Sequence, residues 1–271
     1  MIPKIVHLCW FGNGQKSENI KRCESTVRKF FAGAEIRYWT DANCPDLPFV
    51  EECRRFRKWT LLSDIVRLWA LHKFGGIYLD TDVEVLRPFD PLLERDTCLV
   101  GFEHRKLDHK CIGNTVLLAP PRNGFIADNL RMLLASVLRH LKPFYAVKIL
   151  NLAMMRRGLC EYAPQRLGDV EIVPYDWFYS TDHDTAQAHG YCFHHFEGSW
   201  HPKRTLGRLF ANTPYRLHRL LSAPARRHLV AGTMSAPDSL VPARYNRRDF
   251  EAMLAFNRLA SALHGGDKPT I

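Results

Sequence analysis

The chain has 271 residues, 46% of them hydrophobic and 24% charged, a composition that allows one substantial α/β domain. No run of about 18 apolar residues occurs, so no membrane-spanning helix is expected. The start, MIPKIVHLCW, lacks the basic opening, longer apolar core and small-residue cleavage site of a signal peptide, so the expected location is cytoplasmic. The formal net charge is +10, and residues 200–271 hold twelve Lys/Arg against four Asp/Glu. A basic region of that kind suits nucleic acid, an anionic membrane face or an acidic substrate. No nucleic-acid module signature accompanies it. Peripheral contact with an anionic inner membrane face is therefore the functional expectation, and plain solvation of helical faces is the alternative.

In chain order, Ile5–Leu8 is a continuous apolar run suited to a buried parallel strand, closed by the glycine-rich turn Trp10–Gly14. His7 within it reads as a satisfied core histidine. Ser17 to Phe31 has the spacing of an amphipathic helix, and Glu35 to Trp39 that of a second strand. Asp41 to Pro48 is a loop, and Phe49 to Trp59 a helix leading onward. This alternation predicts a mostly parallel sheet with helices on both faces. The eight cysteines include no C-x-x-C pair, which argues for reduced thiols over a disulfide framework or zinc site.

The densest stretch is TLLSDIVRLWALHKFGGIYLDTDVEVLRPFD, Thr60 to Asp90. Its apolar residues recur at helical spacing, interrupted by Ser63, Asp64 and Arg67. Asp64 and Arg67, three apart, lie on one side of the helix. Gly75-Gly76 can end the helix, and Ile77-Tyr78-Leu79 suits a buried strand. In an extended chain Asp80 and Asp82 point to the same side, with Thr81 facing away. Two carboxylates so placed repel, and a divalent cation with a taste for oxygen ligands relieves them. An Asp-x-Asp is common by chance in solvated loops; its position at a strand's C-terminal end, where α/β sheets place ligands, is what gives it weight.

Ser63-Asp64-x-x-Arg67 followed by Gly75-Gly76-Ile77-Tyr78-Leu79-Asp80-Thr81-Asp82 resembles the donor-sugar signature of glycosyltransferase family 32. That family includes yeast-type mannosyltransferases and bacterial capsule enzymes, and the glucosylating domains of clostridial toxins share the signature distantly. The opening P-K-I-V-H-x-x-W is similar to the start of family members. The resemblance implies that Trp10 lies against the nucleotide base; a core tryptophan is the bland reading. It also implies an asparagine near the donor sugar, for which Asn114 is the candidate beside a turn-asparagine reading.

Further on, Val83–Leu86 continues as a strand or bridge, and Thr97–Phe102 and Gly113–Leu118 are strand candidates. Asn123–His140 and Phe144–Arg157 read as helices. Glu171–Pro174 is a short strand before an aromatic loop, Tyr175–Tyr179. The mixed-charge loop with Glu103, His104, Asp108 and His109, and the cluster Asp182-His183-Asp184, read as solvated loops rather than ligand sets. Tyr191 to Trp200, YCFHHFEGSW, resembles the family's A-x-H-H-x-x-x-S-W segment. The resemblance implies a histidine at the metal or diphosphate, with Ser199 and Trp200 reaching the diphosphate from a closing loop. His194 and His195 would face opposite sides of a strand, and His195 is the expected inward residue. Beyond it lie a basic helix, Pro202–Leu221, a Pro/Ala/Ser-rich stretch and a helix, Asp249–His264.

The resemblance as a whole implies a nucleotide-sugar-binding fold of the GT-A kind over residues 1–200, with a basic, mainly helical extension over 201–271 packed on it. It implies a retaining sugar transferase using a UDP-sugar or related donor, Mn2+ or Mg2+ held by Asp80, Asp82 and His195, and a glycan or lipid-linked glycan acceptor such as a capsule or lipopolysaccharide precursor. Asp64 and Arg67 would hold the donor sugar, with Ser63 and Tyr78 lining or supporting the site. Three rivals remain: an effector-type transferase acting on host proteins, a haloacid-dehalogenase-type phosphatase with Asp80 as nucleophile, and a non-catalytic sugar-nucleotide binder. The phosphatase motif expects a threonine where Glu84 stands.

Overall fold

The structure is a computed structural model, and it describes residues 1–103, 111–139, 146–159 and 161–198. The sequence-based expectations for Ser199, Trp200 and the 201–271 extension, and for His104, Asp108 and His109, lie outside the described residues.

The first half alternates strand and helix. β1 (Ile5–Cys9), α1 (Glu18–Phe30) and β2 (Glu35–Trp39) are followed by a short α2 (Val50–Arg55). A long α3 (Trp59–Phe74) then leads into β3 (Gly76–Leu79) and β4 (Val83–Val85). After α4 (Asp90–Leu93) come β5 (Cys98–Glu103), β6 (Cys111–Ile112), β7 (Val116–Ala119), α5 (Gly124–Arg139) and α6 (Ala146–Arg156). The described part closes with β8 (Gln165–Leu167), β9 (Val170–Val173), α7 (Tyr175–Phe178), α8 (His183–His189) and β10 (Cys192–His194).

The main sheet runs β2-β1-β3-β7-β5-β9-β8, with β6 paired to β5. β1 pairs in parallel with β2 and β3, and β5 with β9, while β7 runs against both β3 and β5 and β8 against β9. Five strands of that path therefore point one way, and only β7 and β8 oppose them. The expected mostly parallel sheet with helices on both faces is present. β4 and β10 form a separate antiparallel pair, His194 opposite Val83.

Strand alternation divides the core in two. Tyr78, Cys98, Val100, Phe102 and Leu117 face a cluster shared with α3, α5 and α6. Ile77, Leu79, Leu99, Val116 and Leu118 face a second cluster with Val27, Phe89 and Phe178. Burying an apolar side chain on either face contributes roughly 1.5–3 kcal/mol. His7 is fully buried; Trp39 Nε1 donates to its Nδ1 at 3.3 Å and its Nε2 meets the Gly75 carbonyl at 2.9 Å, as a core histidine should. Cys9, Cys23, Cys44, Cys53, Cys98 and Cys192 are free thiols.

Three local expectations change. The helix expected over 49–59 breaks at Arg57, whose φ is 51°, so Trp59 opens α3 instead of closing α2. The aromatic stretch 175–179 begins with one helical turn, α7. Asp182 caps α8 by accepting from Thr185 N at 2.8 Å, a structural role for part of the Asp-His-Asp cluster.

The helix-to-strand junction explains the glycine pair. α3 ends at Gly75, φ 65°, and β3 begins at once with Gly76, φ 105°. A Cβ on Gly76 would sit 2.4 Å from the Ile5 carbonyl oxygen of the neighbouring strand. Gly76→Ala combines a left-handed strain with a backbone clash, and is expected to destabilise by on the order of 3 kcal/mol. A urea midpoint within error of the parent chain would contradict this account.

Candidate functional site

The site begins on α3. Trp59, Ser63 and Arg67 recur every fourth residue, so they line one face, with Asp64 beside them. That face looks across the end of β3. Asp64 and Arg67 are each only 4% exposed, so their charges need partners. Arg67 Nη2 lies 3.2 Å from Asp64 Oδ1 and 3.2 Å from Asp80 Oδ1. Its Nη1 donates to the Asn114 carbonyl at 2.6 Å, and its Nε to the Ser63 carbonyl at 3.4 Å. The guanidinium also stacks 4.4 Å over the Tyr78 ring. Asn114 Nδ2 donates to Asp64 Oδ1 at 3.3 Å, and Tyr78 donates its hydroxyl to Asp80 Oδ1 at 2.6 Å.

Asp80 and Asp82 do converge, but by a different route from the one expected. β3 stops at Leu79, and Val83 N donates to the Asp80 carbonyl at 3.0 Å, so 80–83 is a turn rather than an extended strand. Thr81 accordingly does not face away, and it lines the same pocket as the two aspartates. Asp82 is fixed from the far end of the chain. His195 N donates to its carbonyl at 3.1 Å, and Glu197 N donates to its Oδ2 at 3.0 Å.

His194, not His195, is the inward histidine. β10 pairs with β4 so that His194 stands opposite Val83, and its Nε2 lies 3.3 Å from Asp82 Oδ1. His195, on the other face, has its Nε2 2.8 Å from Glu84, in a cluster with His183 and Arg22. The expected metal and donor role of His195 is therefore corrected to a strut on Glu84. The strand-alternation argument was sound, and the inward parity was the other one. Among the described residues, the ligand atoms of Asp80, Asp82 and His194 lie within 4.8 Å of one another. His194 Nδ1 is buried without a hydrogen-bond partner, and Phe196 packs 3.8 Å from the imidazole between ring centres. Two carboxylates and an imidazole form a donor set that suits Mn2+.

These groups open into a pocket of about 700 Å3. One part is aromatic: Trp10, Phe11 and Trp59 line it. Trp10 is half-buried, not a core residue, and its Nε1 donates to the Gly14 carbonyl at 3.2 Å. Gly12, φ 81°, lets the loop lie directly on Trp59, because a Cβ there would come within 2.8 Å of the indole. Elsewhere the lining includes Ser63, Asn114, Glu103 and the start of α6, Ala146 to Lys148. Thus Trp10, Ser63, Asp64, Arg67, Tyr78, Asp80, Asp82 and Asn114 all reach one pocket. Sequence reasoning missed Trp59, Thr115, Phe196, Glu197 and the α6 start. Trp59 was recoverable, since it stands one helical turn before Ser63; Phe196, with φ 52°, carried no pattern to read.

The electrostatics follow from burial. Burial pushes Asp64 up to about 6 against the pull of Arg67. Burial also raises Asp80, with Arg67 opposing and Asp82 adding to the rise. At Asp82 burial is outweighed by the hydrogen bond and charge of His194, which hold the carboxyl below the usual range. Arg67 is held more firmly charged than usual: burial opposes its charge, but Asp80, Tyr78 and Asp64 outweigh it.

Residues 15–99 match the family model of the glycosyltransferase sugar-binding region containing DXD motif. Inositol phosphoceramide mannosyltransferase 3 of Schizosaccharomyces pombe is 26% identical over 207 residues, covering 74% of this chain and 56% of the relative. The chain thus spans about half the length of that curated relative. Among solved structures, PaToxG glycosyltransferase has a TM-score of 0.42 at 14% identity, covering 97% of this chain and 87% of its own. A glycosyltransferase involved in the glycosylation of the major capsid of PBCV-1 has a TM-score of 0.44 at 13% identity, covering 81% and 100%. Likenesses at that level place no individual residue.

The Asp64 shift has a consequence for stability. The folded chain holds this proton more tightly than the unfolded chain, so the contribution is complete below the ordinary carboxyl value of 3.8 and is lost as pH rises through about 6. Asp64→Asn removes it. The stability of the variant relative to the parent, from urea midpoints, is expected to improve between about pH 4 and pH 7. A difference that does not vary with pH would rule this out.

Proposed function

We propose that the DXD sugar-binding region at residues 15–99 serves a nucleotide-sugar glycosyltransferase of the family 32 type, with a UDP-sugar as donor and a surface-glycan precursor as acceptor. One observation carries the reading. Arg67, Asp64, Asp80 and Asn114 form a rigid polar cluster on one side of a pocket that also holds Asp82, His194 and an aromatic wall. A sugar needs several fixed donors and acceptors to be oriented, a base needs a flat apolar surface, and a diphosphate needs positive charge. The pocket supplies the first two, and Lys148 in its lining is one cation toward the third.

The third is the part of a divalent cation, and Asp80, Asp82 and His194 are the residues that would hold it. When bound, Mn2+ or Mg2+ supplies Lewis-acid stabilisation of the charge that develops on the leaving diphosphate. The protein's own contribution is orientation. Asp64 and Arg67 offer the sugar hydroxyls a fixed acceptor and donor, and Tyr78 keeps Asp80 aimed by donating to it. Trp10 offers its indole face to the base. The negative charges of Asp80 and Asp82 match neither a free phosphate nor a nucleic acid. We read the transfer as retaining, so an α-linked donor would give an α-linked product. The relative's name speaks of mannosyl transfer to a phosphoceramide. A hexose moved to a lipid-linked acceptor at the inner membrane face is therefore the version we carry forward.

The primary test is release of sugar from a panel of nucleotide sugars with Mn2+ or Mg2+ present. At least one donor is expected to turn over, and turnover is expected to vanish in EDTA. A panel that remains intact with either metal would overturn the reading. Site assignment is tested by ligand. Asp82→Asn and His194→Ala are expected to weaken nucleoside-diphosphate binding in Mn2+ at least tenfold, while His195→Ala leaves it within about threefold.

The α3 residues separate from the metal residues by a different readout. Asp64→Asn and Arg67→Ala are each expected to cut transfer by on the order of a hundredfold or more per folded molecule. Affinity for the sugar-free nucleoside diphosphate should barely move, because the lost contacts are to the sugar. Equal losses of diphosphate and nucleotide-sugar affinity would show that α3 does not read the sugar.

A further inference from the structure

The residues 114 and 115 occupy a position no strand pairing explains. β6 ends at Ile112 and β7 begins only at Val116; Gly113 N still donates to the Gly101 carbonyl of β5 at 3.0 Å, and Asn114 and Thr115 lie between the two strands. The amides of Thr115 and Val116 are nonetheless paired. The hydroxyl of Tyr179, the residue that closes α7, accepts from Thr115 N at 3.2 Å and from Val116 N at 3.1 Å. It shares a third bond, 3.2 Å, with Thr115 Oγ1. Tyr179 is 1% exposed. Its ring is a wedge between β5 and the 113–116 segment. A Cβ on Gly113 would lie 2.4 Å from the ring, and one on Gly101 would lie 3.1 Å away. Both glycines are thus explained by the same phenol.

What the wedge holds is the back of the donor site. The Asn114 carbonyl receives Arg67 Nη1, and the Asn114 amide reaches Asp64. The Thr115 carbonyl receives the backbone N–H of Asp80 at 2.9 Å. Three polar anchors of the pocket therefore hang from Asn114 and Thr115, and the one hydroxyl accepts from the N–H groups of Thr115 and of Val116 that follows.

We propose that Tyr179 is a positioning residue for the donor sugar: its hydroxyl sets the placement of the 114–116 segment, and through Asn114 that of Arg67 and Asp64. This rests on the glycosyltransferase reading above. The role goes beyond filling space. The ring alone would keep β5 and β7 apart, but only the oxygen fixes where 114–116 lies along the wedge. Removing the oxygen leaves two buried N–H groups seeking partners, and a shift of about 1 Å in groups that orient a substrate is enough to cost about a hundredfold in rate. The hydrogen bonds of the Tyr179 hydroxyl go to Thr115 and Val116, away from Asp82 and His194, so the nucleoside-diphosphate end of the pocket should be spared.

The test is Tyr179→Phe in the full chain, with the donor that the unsubstituted protein turns over. The expected result is a fall in kcat of about ten- to a hundredfold, with nucleoside-diphosphate affinity in Mn2+ within about twofold of the parent. A purely structural tyrosine would instead lower Tm and leave kcat per folded molecule unchanged; that outcome would overturn the inference. Should Tyr179→Phe not fold, Gly101→Ala decides. It keeps the hydroxyl and presses on the ring from the opposite side, and the same kcat loss with diphosphate affinity retained is expected of it. Unchanged kcat in folded Gly101→Ala would then overturn the proposal. An unsubstituted chain that turns over no donor would sink the glycosyltransferase reading and this inference together. An active parent with an equally active Tyr179→Phe would sink this inference alone.

Discussion

A buried guanidinium organises this molecule. Arg67 sits almost out of solvent, where an uncompensated charge would be untenable, and its planar fork is filled from several directions. Ser63 comes from its own helix, Asp64 from the same turn, Asp80 from the end of β3, and Asn114 from the approach to β7. Two partners share its helix and two come from other parts of the chain, so α3, the end of β3 and the approach to β7 are locked in one relative position by a single side chain. Such a group adds little net stability, because desolvation cancels most of the attraction. Its effect is on uniqueness: leaving one partner stranded costs roughly 3–5 kcal/mol, which penalises any packing that displaces it. A lysine could not substitute, since a single ammonium cannot span four acceptors in a plane or stack on Tyr78.

The same rigidity makes the pocket two-ended. At one side the cluster around Arg67 is dry and crossed by hydrogen bonds. At the other, Trp10, Phe11 and Trp59 present flat surfaces held by a glycine loop, with Gly12 N donating to Asp41 at 2.7 Å. Asp82 and His194 line the same pocket, while the neighbouring His195 turns to Glu84.

Much of this was legible in the sequence because it is local. Helical spacing placed Asp64 and Arg67 together, the glycine pair marked the turn into β3, and the position of Asp80 and Asp82 after a buried strand marked the pocket. Those inferences need only periods of 3.6 and 2. What failed depended on partners distant in the chain. The parity of His194 and His195 is fixed by the register of β10 on β4, which no local period encodes. The turn at 80–83 defeated an argument based on extended alternation, although the two carboxylates still met. α7 was read as a loop because four residues, Tyr175–Phe178, are too few to show helical periodicity. Trp59 was assigned to the wrong helix because the break at Arg57 relies on a positive φ at a residue that gives no warning of it.

The pairing of β4 with β10 sets the order in which the site comes into being. Glu84 and His195 are 111 residues apart, and Glu197 meets Asp82 across 115. Most of the main sheet, including the whole Arg67 cluster, is encoded before either of those late partners. A chain emerging from the ribosome can therefore assemble α3, β3 and β7 while Asp82 still lacks its histidine and its capping amide. Contacts of such long sequence separation are slow to close, since the loop entropy is lost before the contact is gained. Every partner of the Arg67 cluster, and Tyr179 behind it, is thus made before the Asp82–His194 side can close. A nascent or truncated chain ending before β10 would hold its arginine cluster and yet leave Asp82 without the imidazole of His194 and the amide of Glu197.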